Sequence, residues 1–123
     1  MVVEKFNSKT KILETEFKGE VTLLEVVNYI IRTKENKTNP RTLKIITDSS
    51  QAVFNFSIED LNTIMEENIK SLMNYDCIID AIIVDNPKNT VLTMLYAELT
   101  KTNKYKFKIF ATKEAALHWL QIN

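Results

Sequence analysis

Cys77-Ile78-Ile79-Asp80-Ala81-Ile82-Ile83-Val84-Asp85-Asn86-Pro87 is the stretch that decides the fold. An apolar, β-branched run interrupted only by Asp80 has the length of a strand covered on both faces, and is too short to span a membrane. Asp85-Asn86-Pro87 then opens a helix, with proline at its favoured first position. A buried strand running into a capped helix is half of a strand–helix–strand unit.

The same rhythm extends in both directions. Toward the carboxyl end, Tyr105 to Ala111 read as the last strand, and Thr112 caps a short helix reaching about Gln121. Toward the amino end, Leu43 to Thr47 form a buried strand ending at Asp48. Ser57 and Asp60 have capping-box spacing at the start of the next helix, with Phe56 and Leu61 as a staple pair. Thr22 and Glu25 repeat that spacing for the first helix, flanked by Val21 and Val26. Val2 to Phe6 and Lys11 to Phe17 are joined by Asn7-Ser8-Lys9-Thr10, residues that favour a hairpin, so this first pair is predicted antiparallel. The predicted fold class is α/β: an N-terminal β-hairpin, then alternating helices and strands in a mostly parallel sheet with packed helices.

Periodicity assigns the buried helix faces. Leu23, Val26, Val27, Ile30 and Ile31 form the first stripe, and Leu61, Met65, Ile69 and Leu72 the second. Val91, Leu95 and Leu99, with Leu92 and Tyr96 alongside, form the third. Ser49 to Phe56 reads as an irregular connection, more apolar than a surface loop, folding over the core or over something bound.

The 123 residues suit one domain over residues 1–123. Sixteen basic residues balance sixteen acidic ones, which argues against a dedicated nucleic-acid binder. Cys77 is the only cysteine, so no intrachain disulfide forms. With no apolar leader at Met1-Val2-Val3-Glu4-Lys5 and no membrane span, a cytoplasmic protein is expected.

Several chemistries are excluded. Gly19 is the only glycine, whereas phosphate-cradling loops and dinucleotide fingerprints need several. His118 is the only histidine, which rules out a two-histidine metal site within the chain. No metal or cofactor is expected. A receiver-domain reading fails because the first parallel strand ends Phe17-Lys18-Gly19 instead of in an acidic pair. Lys104, Lys106 and Lys108 alternate along the last strand, as charges do where an edge is guarded against pairing.

Open α/β sheets bind ligands beyond the carboxyl ends of their strands. The candidates there are Asp48, Ser49 and Ser50 after one strand, Asp85 and Asn86 after the next, and Thr112 and Lys113 after the last. Ser57, at a helix start, is either a cap or a candidate phosphoacceptor.

The order of elements resembles the STAS domains of SpoIIAA-type anti-sigma-factor antagonists. More closely, it resembles the SpoIIAA-like family of small bacterial proteins, which is related in fold to CRAL-TRIO lipid carriers. The residues that carry this are Phe17 to Val21, Leu43-Lys44-Ile45-Ile46-Thr47-Asp48, and Ile109-Phe110-Ala111-Thr112-Lys113-Glu114-Ala115-Ala116-Leu117-His118-Trp119-Leu120. In the antagonists a phosphorylated serine within Asp-Ser-Ser-Gly starts the second helix, a position that falls near Ser57. Here the local residues are Asn55-Phe56-Ser57-Ile58, and Asp48-Ser49-Ser50 repeats the letters at a strand end instead. The resemblance implies a non-enzymatic module for binding proteins or ligands.

Three functions compete. A regulatory or protein-interaction module, binding another protein or a second copy, would present Ser57 and Val53 to Phe56. A binder of a small apolar molecule or lipid would line a groove with Phe54, Phe56, Met65, Met94 and Tyr96. An enzyme would use Asp48 and Asp85 as an acid–base pair.

Overall fold

A computed structural model describes residues 1–123 as five strands and four helices: β1 (Val2–Asn7), β2 (Ile12–Thr22), α1 (Leu23–Glu35), β3 (Thr42–Asn55), α2 (Leu61–Leu72), β4 (Cys77–Ile83), α3 (Pro87–Leu99), β5 (Tyr105–Phe110) and α4 (Lys113–Gln121). The strands lie in the order β1-β2-β3-β4-β5; β1 and β2 are antiparallel, and the others run parallel. Each parallel crossover steps one strand further in the same direction. The right-handedness of such connections therefore puts α1, α2 and α3 on one face of the sheet. The other face is left to α4, whose buried Ala116 and Leu120 pack against Ile46, Ile79, Ala81 and Ile83.

The caps form where the spacing places them. Thr22 and Glu25 make a reciprocal capping box, Asn86 accepts from the Asn89 N–H ahead of Pro87, and Thr112 accepts from the Ala115 N–H. Alternation along β2 also holds, with Leu13, Thr15 and Phe17 buried and Glu14 facing outward.

The expected irregular connection from Ser49 to Phe56 is corrected: β3 continues to Asn55, beside a β2 that continues to Thr22. Between the pairs Glu16↔Asp48 and Lys18↔Gln51, β3 takes one residue more than β2, a bulge that reverses its alternation. Gly19, at φ +64°, lies just past it in β2, a backbone conformation that favours glycine. The reversal turns Ala52 and Phe54 inward and leaves Val53 exposed. Asp48, Ser49 and Ser50 are thus inside a strand, not beyond its end. Asp48 accepts from the Ser50 N–H and hydroxyl, while the buried Ser49 hydroxyl donates to the Ile83 carbonyl.

Past Ile83 the pairing between β3 and β4 ends, and the backbone of β3 there needs another partner. Fully buried Asn89 supplies it. Its Oδ1 accepts the Phe54 N–H at 3.2 Å and its Nδ2 donates to the Ala52 carbonyl at 3.0 Å. Asn89→Ala leaves the Phe54 N–H without a partner and the Ala52 carbonyl with only the 3.4 Å bond from Asn86 Nδ2, and is expected to destabilise the fold by about 1–3 kcal/mol in urea titration. A loss below about 1 kcal/mol would show that water replaces the amide.

Two helix faces differ from the periodic expectation. In α2 the buried residues are Leu61, Ile64, Asn68, Ser71 and Leu72, and Ile69 is exposed. In α3 they are Asn89, Leu92 and Thr93, with Val91, Met94, Leu95 and Leu99 outward. Both helices turn polar side chains toward the sheet, and that interior is the candidate site.

Candidate ligand cavity

Between the helix-covered face of the sheet and α1, α2 and α3 lies a cavity of about 90 Å³. Its floor is the inward-facing alternate residues of the strands: Ile45 and Thr47 of β3, Ile78, Asp80 and Ile82 of β4, Tyr105 and Phe107 of β5. Its roof comes from the helices, with Tyr29 from α1, Asn68 from α2 and Tyr96 from α3. Aromatic contacts fix the walls. Phe17 meets Tyr29 and Phe54 edge-on, and Tyr96 meets Tyr105 and Phe107 in the same way.

The polar groups are few and buried. Asp80 sits in the strand whose neighbours it pairs with are Ile45 and Phe107, and its Oδ1 accepts the Thr47 hydroxyl at 2.9 Å. Burial pushes its carboxyl up to about 7; the hydroxyls of Thr47 and Tyr105 pull only partly the other way. Burial likewise raises the phenols of Tyr29, Tyr96 and Tyr105, so all three are neutral. The Tyr29 hydroxyl is satisfied by Thr15 at 2.8 Å. Asn68 is different: its Nδ2 is buried with no hydrogen-bond partner. A buried amide left in that state costs about 1–3 kcal/mol, which a bound molecule or water would recover.

A surface groove leads toward this interior. It runs between Ser57–Glu59 and the first turns of α3, and Phe56 and Leu92 line both groove and cavity. Phe56 stacks on Phe54, another cavity-lining residue, with ring centroids 5.2 Å apart.

The structure therefore gathers Phe54, Phe56 and Tyr96 at one site and leaves other sequence candidates elsewhere. Met94 is 56% exposed on the outer side of α3, and Met65 does not reach the cavity. Val53 is on the exposed side of β3. Ser57 does not cap α2, whose first residue is Leu61. Instead a turn intervenes, in which the Asp60 carboxylate accepts from the Ser57 N–H at 2.9 Å and from its hydroxyl at 3.2 Å. Half of the capping box forms, one turn early, because the serine hydroxyl donates to Asp60 instead of accepting. Asp48 is half-buried in the bulge, and Asp85 is exposed after β4. Asp80 and Asn68 were not singled out from the sequence. The signal was the lone acid in the most apolar strand, since a charge-bearing residue in a doubly covered strand calls for a reason.

No family model matches the sequence, and no curated protein matches it. Among solved structures, an uncharacterized protein from the DUF3478 family of Shewanella loihica PV-4, described as having a SpoIIAA-like fold, superposes with a TM-score of 0.64. It is 15% identical, over 97% of this chain and 93% of that one. The fold is SpoIIAA-like. At that identity the likeness concerns architecture: the mostly parallel five-stranded sheet and the antiparallel leading pair belong to the SpoIIAA-like fold. The cavity residues belong to this chain. No helix of this SpoIIAA-like fold is long and apolar enough to cross a membrane.

Proposed function

We propose that this protein is a non-enzymatic binding module that takes a small, largely apolar molecule between its sheet and helices. The observation that carries this reading is the partnerless Asn68 amide in an aromatic-lined cavity that also buries Asp80. A few convergent polar groups in an otherwise apolar enclosure are the pattern of a ligand site, and an apolar core without a ligand would be expected to fill that space with side chains. Native mass spectrometry of protein purified gently from its source organism tests it. The expected spectrum shows a retained small molecule that disappears in Leu92→Phe, which adds bulk at the wall the groove and the cavity share. Bare protein in both cases contradicts the reading.

One observation favours a second reading, an interaction module for another protein or a second copy. Val91, Met94, Leu95 and Leu99 leave the outer side of α3 apolar and exposed, and such patches often mark partner surfaces. Met94→Glu with Leu95→Glu is expected to change folding stability by less than about 0.5 kcal/mol and to abolish self-association in sedimentation. A wild-type protein that sediments as a monomer at all concentrations sets the second-copy version aside.

A further inference from the structure

Resting on the ligand-binding reading, the geometry points to the class of molecule the cavity selects: an uncharged compound about the size of one aromatic ring that carries a hydroxyl group, held between Asp80 on the sheet and Asn68 on α2. We infer this from what the walls offer and from what they lack.

No lysine, arginine or histidine lines the cavity. The polar groups that share the cavity with Asp80 are Thr47 from β3, Tyr105 from β5, Tyr29 and Thr33 from α1, Asn68 and Ser71 from α2, and Thr93 and Tyr96 from α3, and none of them carries a positive charge. An anionic ligand would meet a carboxyl and neutral phenols with no counter-charge, and burying an unpaired charge is strongly unfavourable. Fatty-acid carboxylates and phosphates are excluded on that ground.

A cation would find Asp80 but would leave the Asn68 Nδ2 unanswered. The Asn68 Nδ2 is a donor and needs a lone pair, which a protonated amine does not have. A hydroxyl meets both demands, donating to a carboxyl lone pair of Asp80 beyond those that Thr47 and Tyr105 engage and accepting from Asn68 Nδ2. The exchange works whether or not Asp80 carries its proton, because a hydroxyl can also accept from the protonated acid. The volume, about 90 Å³, suits a molecule of one ring or a short chain.

Four probes of matched shape test the selection: benzyl alcohol, ethylbenzene, benzylamine and benzoate, each titrated into the full chain and followed by amide NMR shifts of residues 47, 68, 80 and 96. Benzyl alcohol is expected to bind at least about tenfold more tightly than ethylbenzene, with benzylamine and benzoate weaker than both. Asn68→Leu is expected to bring the alcohol down to the level of ethylbenzene while leaving ethylbenzene binding intact, which shows that the variant is folded. Ethylbenzene binding as tightly as the alcohol overturns the hydroxyl selection and leaves the ligand-binding reading standing. Benzylamine or benzoate binding tightest overturns it in favour of a charged ligand. Shifts from none of the four overturn the selection, and with a bare native mass spectrum the ligand-binding reading fails as well.

Discussion

Asp80→Asn is expected to make the protein more stable at pH 8 and no more stable at pH 4. The reason is the displacement of the Asp80 carboxyl from about 3.8 in an exposed chain to about 7 in the fold, caused chiefly by burial. Below about pH 4 the group is protonated in both the folded and unfolded chain, and ionisation favours neither. As the pH rises from about 4 to 7 the unfolded chain releases its proton first, so stability falls. Above about 7 the fold holds a buried carboxylate, and the full penalty applies. At about 1.4 kcal/mol per pH unit the ceiling on that penalty is about 4 kcal/mol, and water entering the cavity lowers it. The amide variant can still accept the Thr47 hydroxyl, so its unfolding free energy from urea titration should exceed that of wild type by about 1–4 kcal/mol at pH 8 and converge with it near pH 4. Parallel curves for the two proteins across this range would mean that Asp80 is as well solvated folded as unfolded.

Leu120→Ala carries the other large effect. One face of the sheet is covered by α4 alone, a nine-residue helix that a sequence of this length cannot hold by propensity. Its docking rests on Ala116 and Leu120, both fully buried against Ile46, Ile79, Ala81 and Ile83. Lys44 adds a hydrogen bond from its ammonium to the Leu120 carbonyl, satisfying an end the helix leaves open. Truncating Leu120 removes the main apolar contact and leaves a cavity, at an expected cost of about 2–5 kcal/mol. Amide exchange in α4 should accelerate beyond that in α1. A cost below about 1 kcal/mol, with α4 exchange unchanged, would mean that Trp119 packing against Phe110 holds the helix instead.

What the sequence made legible, and what it hid, follows from the range over which each feature is determined. The capping residues Thr22, Asn86 and Thr112 act on amides three residues away, so local spacing was enough to place them. The hairpin from β1 to β2 is equally local. The length of β3 was hidden, because Ser49 to Asn55 becomes a strand only through pairing with Lys18 to Thr22 around a bulge. Polar residues at the bulge and apolar ones after it gave no single alternation to follow. The inner faces of α2 and α3 were misassigned for a related reason. Helix α3 has apolar residues around most of its circumference, and its orientation is settled by Asn89 bonding the free edge of β3, a contact between residues 35 positions apart. The cavity was legible only in its aromatic part, Phe54, Phe56 and Tyr96. Asn68 looks like an ordinary polar position of an amphipathic helix until the fold shows that it faces inward.

The SpoIIAA-like architecture leaves function to the site, and the site proposed here is the cavity that Asp80 and Asn68 line. The most direct measurement is a high-resolution crystal structure of gently purified protein, with attention to the density inside that enclosure. Connected density of ring or short-chain size, within hydrogen-bond distance of Asn68 Nδ2 and the Asp80 carboxyl, is the expected result. Separate water peaks that satisfy both groups, with no connected density, would contradict the binding account and make the cavity a hydrated part of the core.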